Sequence, residues 1–119
     1  MGVPMARNEA YYKAEKLIEE ALRSDARELW LKYSEAKPSN SSSIKDTDLT
    51  ELPDSLVQLT QLQTLVLSGN RLLSLPESIG NLTQLQTLIL SGNDLENLPE
   101  SIGNLTQLQK LDLEWNCEL

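Results

Sequence analysis

Residues 75–86 read Leu-Pro-Glu-Ser-Ile-Gly-Asn-Leu-Thr-Gln-Leu-Gln, and the same letters return at 98–109. A looser copy, Leu-Pro-Asp-Ser-Leu-Val-Gln-Leu-Thr-Gln-Leu-Gln, stands at 52–63, so each copy follows the last by 23 residues. A fixed period in this range predicts stacked coils of chain, each burying its apolar side against its neighbours. The rest of the sequence is then read as capping or decorating that stack.

Extending the period outward aligns the apolar letters. Leu62, Leu65, Leu67, Asn70, Leu72, Leu75, Ile79 and Leu82 form one unit. Leu85, Leu88, Leu90, Asn93, Leu95, Leu98, Ile102 and Leu105 form the next, and Leu108, Leu111, Leu113 and Asn116 begin a third. Leu65 with Leu67, Leu88 with Leu90 and Leu111 with Leu113 sit two apart, on one face of a short strand. Parallel strands one period apart stack at about 4.8 Å. Ser68-Gly69-Asn70 and Ser91-Gly92-Asn93 then turn the chain out of the strand. Pro53, Pro76 and Pro99 each follow a leucine and are expected in the first turn of a short helix, where a missing N–H costs nothing. Brief 3₁₀ or irregular turns are expected around Glu77–Asn81 and Glu100–Asn104.

The pattern Leu-x-x-Leu-x-Leu-x-x-Asn-x-Leu, with Leu-Pro-x-x-Ile-Gly-x-Leu on the return leg, resembles the 23-residue class of leucine-rich repeats. It is similar to repeats of plant intracellular Ras-group-related proteins and of bacterial and cyanobacterial proteins, including the Roco kind. The segment Ala14–Leu31 also looks like the lead-in helix and first strand of bacterial members. The resemblance implies an α/β solenoid, with a short parallel sheet on its concave face, an irregular or 3₁₀ convex side and an N-terminal α-helical cap. It also implies that Asn70, Asn93 and Asn116 point inward as a ladder, bonding backbone groups of neighbouring rungs; an amide offers both donors and an acceptor for that task. Roco proteins carry a GTPase after the repeats. The chain holds no Gly-x-x-x-x-Gly-Lys-Ser/Thr loop, so no nucleotide function transfers.

Three segments follow. Residues 1–25 read as a capping helix, with Ala10, Ala14, Leu17, Ile18, Ala21 and Leu22 at helical spacing and Asn8 placed to cap it. Tyr11 or Tyr12 is expected to rest on the first rung. Residues 26–48 hold the first strand and an inserted loop, and 49–119 hold the repeats, the last truncated. The first strand has two candidate registers. Glu28–Leu31 is preferred, because Leu-Trp-Leu suits a strand better than Ser-Ser-Ile. The other places it at 42–45, with Ile44 one period before Leu67. The preferred register puts an inserted loop at about Tyr33–Asp46.

Letters alternating with the buried leucines project from the concave face in three columns. The first is Glu28, Thr64, Thr87 and Lys110; the middle is Trp30, Val66, Ile89 and Asp112; the third is Lys32, Ser68, Ser91 and Glu114. Trp30, Val66 and Ile89 are expected to form an exposed apolar stripe, the kind of surface that marks an interaction site. At the far end Trp115 replaces the glycine of Gly69 and Gly92. Leu108, Leu111 and Leu113 are expected to leave one side of their rung open, with Trp115 folding over it as a partial cap. Trp115 and Cys117 are also candidates to meet a partner subunit.

Composition excludes several classes of function. The 119 residues carry 18 acidic and 10 basic side chains, a net charge of −8. A nucleic-acid partner is not expected, since phosphate binding needs a cationic face, and neither is an anionic membrane surface. With no histidine, His-based triads and His metal sites are out, and Asp46-Thr47-Asp48 falls short of a calcium loop. No cofactor, metal or catalytic residue is expected. Asp112 with Glu114 reads as a solvated acidic patch. One cysteine and no apolar leader point to the cytoplasm, so Asn40, Asn81 and Asn104, which head glycosylation sequons, are expected to stay unmodified. The expected function is non-enzymatic binding of another protein or peptide on a rigid concave face. The alternatives are a self-assembling solenoid, dimeric through its C-terminal rung, and the sensor fragment of a larger signalling enzyme.

Overall fold

Leu-x-Leu spacing turns each repeat into a three-residue strand, because one buried leucine between two outward letters is all that a rung supplies. The computed structural model describes residues 9–31 and 49–116. Strands β1 (Glu28–Trp30), β2 (Thr64–Val66), β3 (Thr87–Ile89) and β4 (Lys110–Asp112) form one parallel sheet in sequential order. Leu29, Leu65, Leu88 and Leu111 are register partners along it. The sheet resolves the choice of first strand in favour of Glu28, which pairs with Thr64. From Leu31 to Leu49 the chain takes 18 positions, where Leu67 to Leu72 takes 5. The proposed loop at about Tyr33–Asp46 lies outside the described residues.

The interior is a column of leucines. Leu62, Leu65, Leu67, Leu72, Leu82, Leu85, Leu88, Leu90 and Leu95, with Leu56 and Ile79, are fully buried. Each such side chain contributes about 1.5–3 kcal/mol on leaving water. The return legs are the 3₁₀ turns Asp54–Gln58, Glu77–Asn81 and Glu100–Asn104. The three prolines stand one place earlier than expected. Pro53, Pro76 and Pro99 are the extended residues just before each turn, and their carbonyls accept the N–H of Leu56, Ile79 and Ile102 at 3.0–3.1 Å. An extended ψ near 150° suits proline there and hands its carbonyl to the turn.

Helix α1 (Glu9–Ser24) closes the first rung, packing on β1 and on the turn Asp54–Gln58. Its buried stripe is narrower than the apolar spacing suggests. Tyr11, Ala14, Ile18 and Ala21 are buried, while Leu17 and Leu22 flank that stripe and are exposed. Tyr11 rests in the core, and Tyr12 stays outside with its ring edge-on at 5.7 Å. The helix ends in a Schellman turn: Ala26 N–H donates to Ala21 O and Asp25 N–H to Leu22 O, with Asp25 at φ 58°. Asn8 lies outside the described residues. Among those residues no helix is long and apolar enough to cross a membrane.

Candidate binding face

Buried asparagines hold the rungs in register. Asn93 Nδ2 donates to Leu67 O of the rung before and to Leu90 O of its own, at 3.0 and 2.9 Å, while Oδ1 accepts Leu72 N–H at 3.0 Å. Asn70 makes the equivalent bonds to Leu31 O, Leu67 O and Leu49 N–H, and Asn116 those to Leu90 O, Leu113 O and Leu95 N–H. Each amide therefore ties two rungs through carbonyls and an N–H that would otherwise be orphaned inside. A sheet held in this way presents its outward letters at fixed spacing.

Those outward letters fall into columns. Glu28, Thr64, Thr87 and Lys110 are register partners, as are Trp30, Val66, Ile89 and Asp112. Ser68, Ser91 and Glu114 continue past the strands, with Gly69 N–H donating to Ser91 O and Gly92 N–H to Glu114 O. Lys32 lies outside the described residues. The middle column differs from a continuous exposed stripe. Trp30 is 54% exposed and Ile89 half-buried, but Val66 is only 7% exposed. Val66 stands between Trp30 and Ile89 in the register, on strands about 4.8 Å apart, and is itself buried. Two separated apolar knobs result, Trp30 at the edge of the sheet and Ile89 two strands along. The sequence named the column; the burial of Val66 within it is seen only in the structure.

The electrostatics are one-sided. Glu28, Asp112 and Glu114 set three carboxylates against the ammonium of Lys110 on the described part of the face. Asp112 Oδ1 also accepts Glu114 N–H at 3.1 Å, in a tight turn exposed to solvent. Among the described residues no three Asp, Glu, His or Cys side chains gather in a way that holds a metal.

At the C-terminal end Leu111 is 37% exposed, and Ile102, Leu108 and Leu113 are only partly buried. Trp115 does not cover them. It takes the left-handed conformation of the glycines it replaces, at φ 63°, and its side chain is 79% exposed. Cys117 is outside the described residues.

Comparison with known proteins fits this geometry. The family described as "Leucine-rich repeat region" matches residues 43–119. A solved leucine-rich-repeat protein of Leptospira interrogans is similar over 81% of this chain, at 32% identity and a TM-score of 0.55. The chain spans 33% of that protein's length. No curated protein matches.

Proposed function

The chain belongs to the leucine-rich repeat family, and on that premise we propose that it is a non-enzymatic module that binds another protein or peptide on its concave sheet. The observation that carries the reading is the exposure of Trp30 beside a rigid parallel ladder. Exposed tryptophan is over-represented among the residues that dominate binding energy. Ile89 supplies a second apolar point, and the acidic side chains of the first and outer columns favour a partner with basic flanks. Because the asparagine ladder already fixes the backbone that carries these side chains, binding costs little loop-ordering entropy. A cytoplasmic setting accords with one cysteine in the whole sequence.

The test is affinity capture with the native chain and with Trp30→Ala/Ile89→Ala. Val66 is left intact, since its truncation would disturb a buried position. A control, Glu77→Ala on the convex turn, is run beside them. The proposal expects a specific set of bound proteins that the double variant loses by at least tenfold and the control retains. Equal capture by all three overturns it.

A further inference from the structure

The outward letters of β2 and β3 repeat one arrangement across the ladder. Thr64, Val66 and Ser68 on one rung match Thr87, Ile89 and Ser91 on the next, so a central apolar residue lies between two half-buried hydroxyl residues. On β1 the same places hold Glu28 and Trp30, both exposed. The accessible apolar surface is therefore discontinuous. Trp30 and Ile89 can be reached, while Val66 between them is buried. The two accessible points lie two strand spacings apart, about 9.6 Å.

That spacing discriminates between the conformations a bound segment can take. A segment lying along the column crosses the strands, and its side chains meet the sheet at its own repeat. A β-extended segment returns a side chain to one face at intervals of about 6.7 Å, which matches neither one strand spacing nor two. An α-helix returns one about every 5.4 Å and sets it over buried Val66. A polyproline II segment has three residues per turn, so every third side chain faces the same way, about 9.3 Å from the last. This repeat meets Trp30 and Ile89 together and passes over Val66. Such a segment makes no internal hydrogen bonds, and its carbonyls need outside donors. The hydroxyls of Thr64 and Thr87 on one side, and of Ser68 and Ser91 on the other, can rotate to donate to them.

With the concave sheet as the binding surface proposed above, we infer that it takes a proline-rich segment of the partner in the polyproline II conformation. Two prolines three positions apart rest on Trp30 and Ile89, and a basic residue beside the first of them faces Glu28. The flat indole of Trp30 gives a pyrrolidine ring a broad apolar contact. Proline is already held near the φ of this conformation, so the segment loses little freedom on a sheet that is itself fixed. Glu28 stands two residues before Trp30 on the same side of β1 and is exposed. Its carboxylate, in a chain of net charge −8, favours arginine or lysine at that place and disfavours an acidic segment.

Selection of a displayed library of random peptides on the immobilised 119-residue chain tests the proposal. The enriched peptides are expected to share Pro-x-x-Pro with arginine or lysine beside the first proline. A synthetic peptide of the enriched sequence is then titrated against the native chain and its variants. Trp30→Ala and Ile89→Ala are each expected to weaken binding at least tenfold, and Glu28→Gln by a smaller factor that shrinks as salt is raised. Removing or adding one residue between the prolines is expected to weaken binding at least tenfold against the native chain. Circular dichroism confirms that each variant keeps its fold, as expected for surface positions. Enriched peptides that lose binding to Trp30→Ala and Ile89→Ala but lack the proline spacing overturn the inference and leave the concave face standing as the binding surface. Peptides that bind both variants as they bind the native chain overturn the inference and count against the concave face as well. A library that yields no enriched sequence overturns the inference, and the affinity capture above then judges the face by itself.

Discussion

Trp115 shows how one letter can be legible as an exception while its consequence is not. It stands where Gly69 and Gly92 adopt φ 76° and 72°, and it is forced to φ 63°. A side chain with a Cβ in this region carries a cost of order 1–2 kcal/mol. The departure from the repeat was visible in the sequence and suggested a cap; the positive φ and the exposure of the side chain were not. Since little burial would be lost, Trp115→Gly is expected to raise stability by up to ~1 kcal/mol, the relief of strain being partly offset by glycine's greater unfolded-state entropy. Urea denaturation measures this, and a lower midpoint would contradict it. Asp25 accepts the same torsion at the end of α1, where the Schellman bonds make it the normal way to finish a helix.

At the scale of the element, the identical text of 75–86 and 98–109 makes two 3₁₀ turns with different surroundings. A Cβ on Gly80 would lie 2.8 Å from both Ser101 Cβ and Ser101 O, because the next turn packs directly on it. Ser101 Oγ donates to Glu77 O in the same contact. A Cβ on Gly103 would meet nothing within 4 Å. Gly80→Ala is therefore expected to destabilise by about 1–3 kcal/mol, since backbone must move to admit it. Gly103→Ala is expected to be neutral or to stabilise by up to ~1 kcal/mol through the unfolded state. Paired denaturation curves decide this, and equal shifts would sink the account. The comparison also shows where sequence reading stops. Period and strand register followed from Leu-x-Leu at fixed offsets, and the inward asparagines from the resemblance to leucine-rich repeats. Burial did not, because it belongs to the neighbours: Ile79 is closed and Ile102 partly open within the same words. Val66, read from its column as exposed, is buried.

Across the whole molecule these local differences add to a gradient. A solenoid's stability is a sum of rung terms and nearest-neighbour interfaces, so a rung with one neighbour is held less firmly than a rung with two. Here α1 supplies the missing neighbour at one end, and the described residues supply none at the other. Leu88→Ala removes a fully buried side chain between two rungs and is expected to cost about 2–5 kcal/mol. Leu111→Ala, at a partly exposed position, is expected to cost about 1 kcal/mol or less. Amide hydrogen exchange reads the same gradient without mutation. Leu67 N–H, bonded to Ile89 O, is expected to exchange only through global unfolding. Leu90 and Gly92 N–H, bonded to Asp112 O and Glu114 O, are expected to exchange sooner by fraying of the last rung. Uniform protection from β2 to β4 would refute the gradient.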